Sequence, residues 1–197
     1  MAGFANKQVE PGVLARARRG DMRAHAIIFR TFSAPVYSLM ARMTGSTHTA
    51  DDLLQETFVE VIRSIGGFRE QASLATWIRR IAVSKCLMHL RSAWARRTTL
   101  FRDLGEDDRP YEPAAASDAA AMQARIDLER ALARLSDTSR VVVILHDIEG
   151  YTHREIAEMM GKSVSFSKSQ LARAHQRLQR VACVAIRAPV EREEVER

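Results

Sequence analysis

Residues 51–65 read DDLLQETFVEVIRSI, and their apolar side chains recur at spacings of three and four positions. Such spacing places the apolar side chains on one stripe of a helix and the charged ones on the other face. Thr49 and Asp52 have the form of a capping box at its start, and Gly66-Gly67 supplies a stop. The segment therefore predicts an amphipathic helix whose buried stripe comprises Leu53, Leu54, Phe58, Val61, Ile62 and Ile65.

The segments on both sides of this helix also carry helical apolar patterns. Upstream, apolar residues between positions 27 and 43 form a second stripe. Pro35 within that stripe is expected to kink or break the helix, because its ring blocks an interior hydrogen bond. Downstream, a stripe over residues 74–90 predicts a long helix that ends near Arg96-Arg97. We therefore expect residues 1–97 to form a small helical bundle.

The composition is that of a soluble, core-forming chain with a polyanionic partner. Of its 197 residues, 46% are hydrophobic and 27% are charged, and the formal net charge of +6 makes nucleic acid the first candidate partner. No apolar run is long enough to span a membrane and the N-terminus lacks a secretory signal, so we expect a cytoplasmic protein without membrane insertion. Cys86 and Cys183 lie far apart without metal-ligand spacing, so no zinc site, disulfide framework or cofactor is predicted.

Charge divides the chain into blocks. Residues 1–97 hold 15 basic and 7 acidic side chains, whereas residues 98–125 hold 3 basic and 6 acidic ones with two prolines and a run of alanines, which is typical of a linker. Residues 126–188 predict a second folded domain and residues 189–197 an acidic tail. The run VVVIL at 141–145 has strand propensity, but no other segment offers a strand to pair with, so we predict a helix. The predicted fold is all-α, with two small helical domains joined by a flexible linker.

Residues 152–171 have the spacing of a helix-turn-helix motif. The motif begins with THRE, a capping box; Gly161 ends the short helix that follows, and Ser163 can cap a second helix. Between positions 159 and 190 the chain has six cations and no acidic residue, which suits a phosphate backbone. A plain helical hairpin with a solvated basic face is the alternative. The predicted contacts to base edges and phosphates are made by Lys168, Ser169, Gln170, Arg173 and Arg177.

Two further features have both a functional and a structural interpretation. The acid-free stretch 71–102 combines cations with Trp77 and Trp94 inside it and Phe68 beside it. This combination suits unstacked bases, although Phe68 and Trp77, each taken alone, are more typical of core residues. A polar cluster on the helix over 51–65 suits any helix N-terminus, but it can also be a docking face for a basic protein partner. It comprises Asp51, Asp52, Gln55 and Glu56.

Two sets of motifs follow one another along the chain. The first set is TADDLLQETF at 49–58, FRE at 68–70 and TWIRRIA at 76–82. The second set is IEGYT at 148–152, EIAE at 155–158 and KS at 168–169. They resemble region 2 and region 4, in that order, of the extracytoplasmic-function (ECF) class of sigma-70-type sigma factors, and together they cover most of the chain.

The resemblance implies a dissociable subunit that binds the β′ and β subunits of core RNA polymerase, recognises promoter DNA and directs transcription initiation without being an enzyme. It also implies control by an anti-sigma factor. Polymerase binding is implied for Asp51, Asp52, Gln55 and Glu56. Contact with the minus-ten element is implied for Phe68, Arg69, Ser73, Thr76, Trp77, Arg80 and Lys85. Contact with the minus-thirty-five element is implied for Arg154, Ser165, Phe166, Lys168, Ser169, Gln170, Arg173 and Arg177.

The second helix of the motif departs from the family pattern at its start. Where family members carry a GTVKSRL type of run, this chain has SFSKSQL at 165–171. Ser167 replaces an apolar residue, and an unpaired buried hydroxyl costs about 1–3 kcal/mol. We therefore expect either a shift of the helix register or an inward rotation of Phe166. Gln170 replaces an arginine, which favours adenine over guanine contacts.

A stand-alone helix-turn-helix regulator is the alternative function. In such a protein the first bundle serves dimerisation or ligand sensing, and duplex DNA is bound without polymerase, usually by a dimer. An enzyme is not predicted, because the six histidines are scattered and form no recognisable triad or metal motif.

Overall fold

The computed structural model describes residues 4, 7–100 and 128–187, and for residues 95–100 and 181–187 it describes the backbone alone. Throughout this part of the chain the regular secondary structure is helical, which confirms the predicted all-α fold. Most of the predicted linker and the whole predicted tail lie outside the described residues. Residues 98–100 belong to the fourth helix, which therefore continues past Arg96-Arg97.

The helices are α1 (Val13–Arg18), α2 (Met22–Thr44), α3 (Thr47–Ser64), α4 (Leu74–Leu100), α5 (residues 128–133), α6 (Asp137–Val143), α7 (His153–Met160) and α8 (Val164–Arg187). A 3-10 turn, Ile65–Gly67, follows α3, and a π-helical turn, Ile144–Ile148, follows α6. We refer to α1–α4 as the N-terminal domain and to α5–α8 as the C-terminal domain.

The N-terminal domain is built by α2, α3 and α4, which pack pairwise against one another, with α1 against α2. Phe32, Leu39, Ile78 and Leu87 are among its fully buried side chains, and burying a side chain of this kind contributes about 1.5–3 kcal/mol. Cys86 belongs to the same core, and burial raises the pKa of its thiol to about 12. The thiol is therefore a packing group.

The start of α3 differs from the prediction. The helix begins at Thr47, and its N-cap is Ser46, whose side chain accepts a hydrogen bond from the backbone N–H of Thr49 at 3.2 Å. The predicted capping box of Thr49 and Asp52 is therefore wrong. The N-cap lies earlier because the turn from α2 is tight. Gly45 ends α2 with a φ of 68°, which leaves Ser46 as the extended residue before α3.

Of the kink or break expected at Pro35, the break is absent, because α2 continues through this residue. Phe32 and Val36 on either side of the proline are fully buried, and α2 packs against both α3 and α4. An interior proline costs a helix about 3 kcal/mol. Burial of the flanking stripe offsets that cost.

The C-terminal domain contains the predicted helix-turn-helix. The VVVIL run is helical, since it forms the end of α6 and the start of the π-helical turn. The capping box of Thr152 and Glu155 at the start of α7 is confirmed. Gly161 ends α7 in the left-handed region with a φ of 63°, and Ser163 caps α8 by accepting a hydrogen bond from the Phe166 N–H at 3.1 Å.

The two domains contact each other through α2 and α4 on one side and the segments around α6 and α7 on the other. The carboxylate of Glu149, whose side chain is 8% exposed, lies 3.5 Å from Arg79 Nη1 and 3.9 Å from Arg42 Nη2. Arg91 donates a hydrogen bond of 2.8 Å to the carbonyl of Met159. An open cleft of about 350 Å³ remains between α4 and α7.

Candidate nucleic-acid interface

The first half of α8 presents a polar and basic face to solvent. Ser167, Leu171 and Ala174 lie on its opposite, buried face, and α8 packs against α6 and α7. Because these residues are three or four positions apart, most of the side chains between them point outward, Gln170 excepted. The outward face is accessible to a duplex and comprises Ser165, Lys168, Ser169, Arg173 and Arg177; Arg154 is exposed on the first turn of α7.

Two of the residues predicted for the minus-thirty-five contact lie differently. Phe166 is half-buried against the core, with the Lys162 Nζ atom 5.8 Å from the centre of its ring. Gln170 is half-buried, and its Oε1 atom accepts a hydrogen bond of 2.8 Å from the hydroxyl of Ser139 in α6. The amide of Gln170 therefore binds inside the domain, in contrast to the predicted contact with a base edge.

Ser167 is buried, as its position predicted, and its hydroxyl has a hydrogen-bond partner. The side chain has no exposed surface, and its Oγ atom lies 3.0 Å from Nδ1 of His153 in the first turn of α7. Of the two expected alternatives, the shift in helix register is therefore wrong, whereas the half-buried ring of Phe166 agrees with an inward rotation. Because α7 supplies a polar partner, Ser167 keeps the buried position that an apolar residue occupies in the family pattern.

His153 belongs to a hydrogen-bonded cluster where α7, α8 and the π-helical turn meet. Its ring stacks on that of His146 with centroids 4.5 Å apart, and the Asp147 carboxylate lies 2.8 Å from His146 and 2.7 Å from His175. Burial, followed by the charges of His146 and Lys168, lowers the pKa of His153. Burial alone raises the pKa of Asp147, but hydrogen bonds from the two histidines lower it overall. Over the described residues, no set of three such side chains forms a metal site.

The loop before α4 is a second candidate surface. The ring of Phe68 is 8% exposed and lies 5.0 Å from the ring of Trp77, which is half-buried. Arg18 of α1 donates a hydrogen bond to the Phe68 carbonyl and forms an ion pair of 2.8 Å with Glu70. Glu70 has a φ of 56°, in the left-handed region. The ring of Phe68 is thus a buried packing group that supports the loop, and it is not accessible for stacking on a base.

The start of α4 holds most of the other residues predicted for the minus-ten contact. The Ser73 hydroxyl caps the helix by accepting a hydrogen bond from the Thr76 N–H at 3.1 Å, and the two hydroxyls lie 2.9 Å apart. Arg69 and Arg80 are exposed, and Lys85 is half-buried. Arg80 also lines the cleft towards α7. At this surface Trp77 is therefore the aromatic side chain whose ring is partly exposed, and the cations Arg69 and Arg80 lie near it in the sequence.

The polar cluster on α3 forms a third candidate surface. Asp51, Asp52, Gln55 and Glu56 are all exposed. Because α3 begins at Thr47, its first turn contains no acidic residue, so stabilisation of the helix N-terminus does not explain the acids. The face continues with exposed apolar side chains, Val59 at 45% and Ile62 at 44%, so the predicted place of Ile62 in the buried stripe is wrong. Exposed apolar side chains rimmed by polar ones are a feature of protein interaction sites.

Comparison with known proteins identifies the family. Residues 28–96 match the Sigma-70 region 2 family and residues 125–178 match the Sigma-70 region 4 family. The ECF RNA polymerase sigma factor SigM of Mycobacterium tuberculosis is 34% identical over 180 residues, which cover 91% of this chain and 87% of that relative. The chain belongs to the ECF sigma factors.

A second sequence relative and a solved structure of similar fold were also found for this ECF sigma factor. SigG of Mycobacterium tuberculosis is 32% identical over a match that covers 85% of this chain and 50% of that relative. A co-crystal structure of the sigma factor RpoE in complex with the anti-sigma factor NepR from Bartonella quintana has a similar fold, with a TM-score of 0.53 and 20% identity. That match covers 79% of this chain and 94% of the RpoE chain.

Sequence reasoning missed several residues that support the candidate surfaces of this ECF sigma factor. Arg18 lies 50 positions before its carbonyl partner and outside the region 2 match. Ser139 lies 31 positions before Gln170, and His153 lies 14 positions before Ser167. These separations follow no helical period, so no local pattern could have indicated the contacts.

None of the described helices of this ECF sigma factor is both long and apolar enough to cross a membrane.

Proposed function

We propose that this ECF sigma factor binds core RNA polymerase and two promoter elements through three separate surfaces. The exposed cluster on α3 binds polymerase, the loop before α4 and the start of α4 bind the minus-ten element, and the outward face of α8 binds the minus-thirty-five element. Residues 1–97 and 126–188 are the corresponding domains, and residues 98–125 connect them. The observation that carries this proposal is the accessibility of the basic face of α8, opposite its buried stripe.

The polymerase surface is proposed for Asp51, Asp52, Gln55 and Glu56, with the β′ coiled coil as the partner. Carboxylates in the second and third turns of α3 attract a basic surface, and the exposed Val59 and Ile62 add apolar area beside them. Charge complementarity raises the rate and specificity of association, while apolar area supplies affinity.

The minus-ten surface is proposed to hold unstacked bases of single-stranded DNA. Trp77 offers a partly exposed ring for stacking, which is worth about 1–3 kcal/mol per base, and the exposed cations Arg69 and Arg80 favour the phosphates. Phe68 acts in this proposal by supporting Trp77 from below.

The minus-thirty-five surface is proposed to enter the major groove of duplex DNA. Lys168 and the hydroxyls of Ser165 and Ser169 face outward near the start of α8, where a recognition helix contacts base edges. Arg173 and Arg177 follow one and two turns later and suit the phosphate backbone.

Regulation and location follow from the same proposal. The related RpoE structure contains an anti-sigma factor, and we expect an anti-sigma protein to control this chain as well. We also expect the chain to act in the cytoplasm, where its polymerase and DNA are, and to have no catalytic activity of its own.

The test is reconstituted transcription. Promoter fragments are first selected from genomic DNA by the full-length chain with core polymerase, and run-off transcripts are then mapped. We expect initiation at one defined start on each selected fragment, only when both the chain and core polymerase are present. Failure to bind core polymerase would contradict the proposal. Tight binding to duplex DNA by the chain alone, as a dimer, would support the stand-alone regulator instead.

A further inference from the structure

Two polar side chains, Ser167 and Gln170, lie on the inner side of α8. They are three positions apart and therefore face the same side of the helix. Each is held by a different neighbouring helix: Ser167 Oγ lies 3.0 Å from Nδ1 of His153 in α7, and Gln170 Oε1 accepts a 2.8 Å hydrogen bond from Ser139 in α6. The helix thus has two polar anchors on two partners.

The hydroxyl of Ser139, which anchors Gln170 to α6, is oriented by a further hydrogen bond. Ser136, the N-cap of α6, donates a hydrogen bond of 3.1 Å from its hydroxyl to that of Ser139. Ser139 is 6% exposed, so water does not compete freely for its hydroxyl. The Ser139 hydroxyl therefore has its acceptor direction filled by Ser136 and its proton directed at Gln170.

The two hydrogen bonds add a directional restraint on the rotation of α8 about its axis to the restraint of its apolar packing. A hydrogen bond weakens steeply when its length or angle changes, whereas burial of Leu171 and Ala174 depends on area and has no preferred direction. Successive residues of an α-helix are about 100° apart around its axis. A rotation of a fraction of that angle would stretch both polar bonds and turn different side chains outward.

We propose that His153 and Ser139 are positioning residues which, through Ser167 and Gln170, fix the rotation of α8 and thereby determine which side chains meet the bases of the minus-thirty-five element. This inference rests on the proposed function. In the orientation held by the two bonds, the outward residues are Ser165, Lys168, Ser169, Ala172 and Arg173.

The outward set has a defined chemistry. Ser165, Ser169 and Ala172 are small, which allows the helix backbone to approach the floor of a groove closely. Lys168 offers a donor suited to guanine, the two hydroxyls suit either strand, and the methyl group of Ala172 suits the methyl group of thymine. The amide of Gln170, held by Ser139, contributes no base contact in this orientation.

The test measures base preference in addition to affinity. The full-length chain with core polymerase is bound to its selected promoter and to duplexes that carry each single-base change in the minus-thirty-five element. We expect His153→Ala and Ser167→Ala to reduce the ratio of cognate to mismatched affinity by about tenfold at the positions facing the first two turns of α8. Ser139→Ala should reduce it as well, because Gln170 loses its anchor.

Conservative and remote variants separate positioning from a general structural role. His153→Asn keeps a polar atom where Nδ1 lies and should retain the wild-type ratio. His89→Ala, in α4 of the other domain, is the matched control and should also retain it. A uniform loss of affinity for all duplexes, with the ratio unchanged in Ser167→Ala and His153→Ala, would overturn the inference.

Failure of the inference and failure of the proposed function give different results. If the wild-type chain binds core polymerase and initiates at one start while the variants keep its base preference, only the positioning role is refuted. If the wild-type chain does not bind core polymerase, the proposed function itself fails. Because Ser167→Ala removes a single hydroxyl, it tests the inference even if His153→Ala does not fold.

Discussion

The two candidate DNA surfaces are held in place by different kinds of contact. In the N-terminal domain, the loop before α4 is supported mainly by the packed rings of Phe68 and Trp77, with a hydrogen bond and an ion pair from Arg18 beside them. In the C-terminal domain, hydrogen bonds to Ser167 and Gln170 orient α8. Ring burial contributes several kcal/mol without direction, whereas a net hydrogen bond contributes about 1 kcal/mol with a strict geometry. We therefore expect damage to the first surface to lower stability, and damage to the second to alter base preference.

The largest effect is expected when the ring support is removed. Phe68→Ala deletes a ring that is 8% exposed, and such truncations cost about 3 kcal/mol in unfolding free energy. Both tryptophans, Trp77 and Trp94, lie in α4, so the tryptophan fluorescence of a urea titration reports mainly on the N-terminal domain. We expect a lower midpoint by this probe.

Two variants in the C-terminal domain sharpen this measurement. Phe166→Ala removes a half-buried ring, and we expect the unfolding free energy to fall by about 1 kcal/mol or less, measured by circular dichroism because no tryptophan lies in α8. Ser167→Ala should leave the midpoint of the tryptophan signal unchanged. If Ser167→Ala lowered that midpoint as much as Phe68→Ala, the contrast between the two surfaces would be false.

The second-largest effect concerns the surface on α3, which uses neither ring support nor buried hydrogen bonds. Replacing Asp52 and Glu56 together by Asn and Gln keeps their shape and removes two exposed charges. We expect affinity for core polymerase to fall about tenfold, mainly through slower association. Binding is measured by titrating labelled full-length chain with core polymerase at two salt concentrations.

The control for this pair lies on the same helix. Glu60→Gln changes one charge at a half-buried position of α3 that is outside the polar cluster, and it should leave affinity for polymerase close to that of the wild type. Circular dichroism should show the same helix content for all three proteins. Unchanged affinity in the double variant would leave the acids without a role in docking.

Local patterns predicted the elements of both domains, but not the contacts that orient them. The capping box of Thr152 and Glu155 was predictable because the two residues are only three positions apart at the start of one helix. The cap of α3 was misplaced because Ser46 and Thr49 both suit an N-cap, and the turn at Gly45 decides between them. The anchors of α8 join residues 14 and 31 positions apart, so only the packed fold brings them together.

A smaller effect on DNA affinity is expected from the phosphate contacts of α8. Removing them tests the charge of the helix without changing its orientation. Arg173→Gln and Arg177→Gln should each reduce the slope of log affinity against log salt by about one for a duplex that carries the minus-thirty-five element. Base preference should stay the same, because phosphates carry no sequence information. Arg30→Gln, an equal charge change on an exposed position of α2, should leave the slope unchanged.

The smallest expected effect is a dependence of stability on pH that comes from the anchor of α8. Burial, together with the charges of His146 and Lys168, lowers the pKa of His153 below its ordinary value of 6.5. The unfolded chain therefore takes up this proton first as the pH falls. The stability contributed by neutral His153 is complete above pH 6.5 and is lost as the pH falls through the lower folded value.

His153→Asn isolates this contribution, because asparagine does not titrate and keeps a polar partner for Ser167. The thermal midpoint of the wild-type chain should fall more steeply than that of His153→Asn between pH 7 and pH 5, with equal slopes above pH 7. The negative charge of Asp147, which pairs with His146 and His175, raises the pKa of His153. In Asp147→Asn that charge is removed, so the thermal midpoint should fall more steeply with decreasing pH than in the wild type. Parallel curves for the wild type and His153→Asn would mean that the imidazole is solvated like any surface histidine, and that the contact with Ser167 does not hold α8.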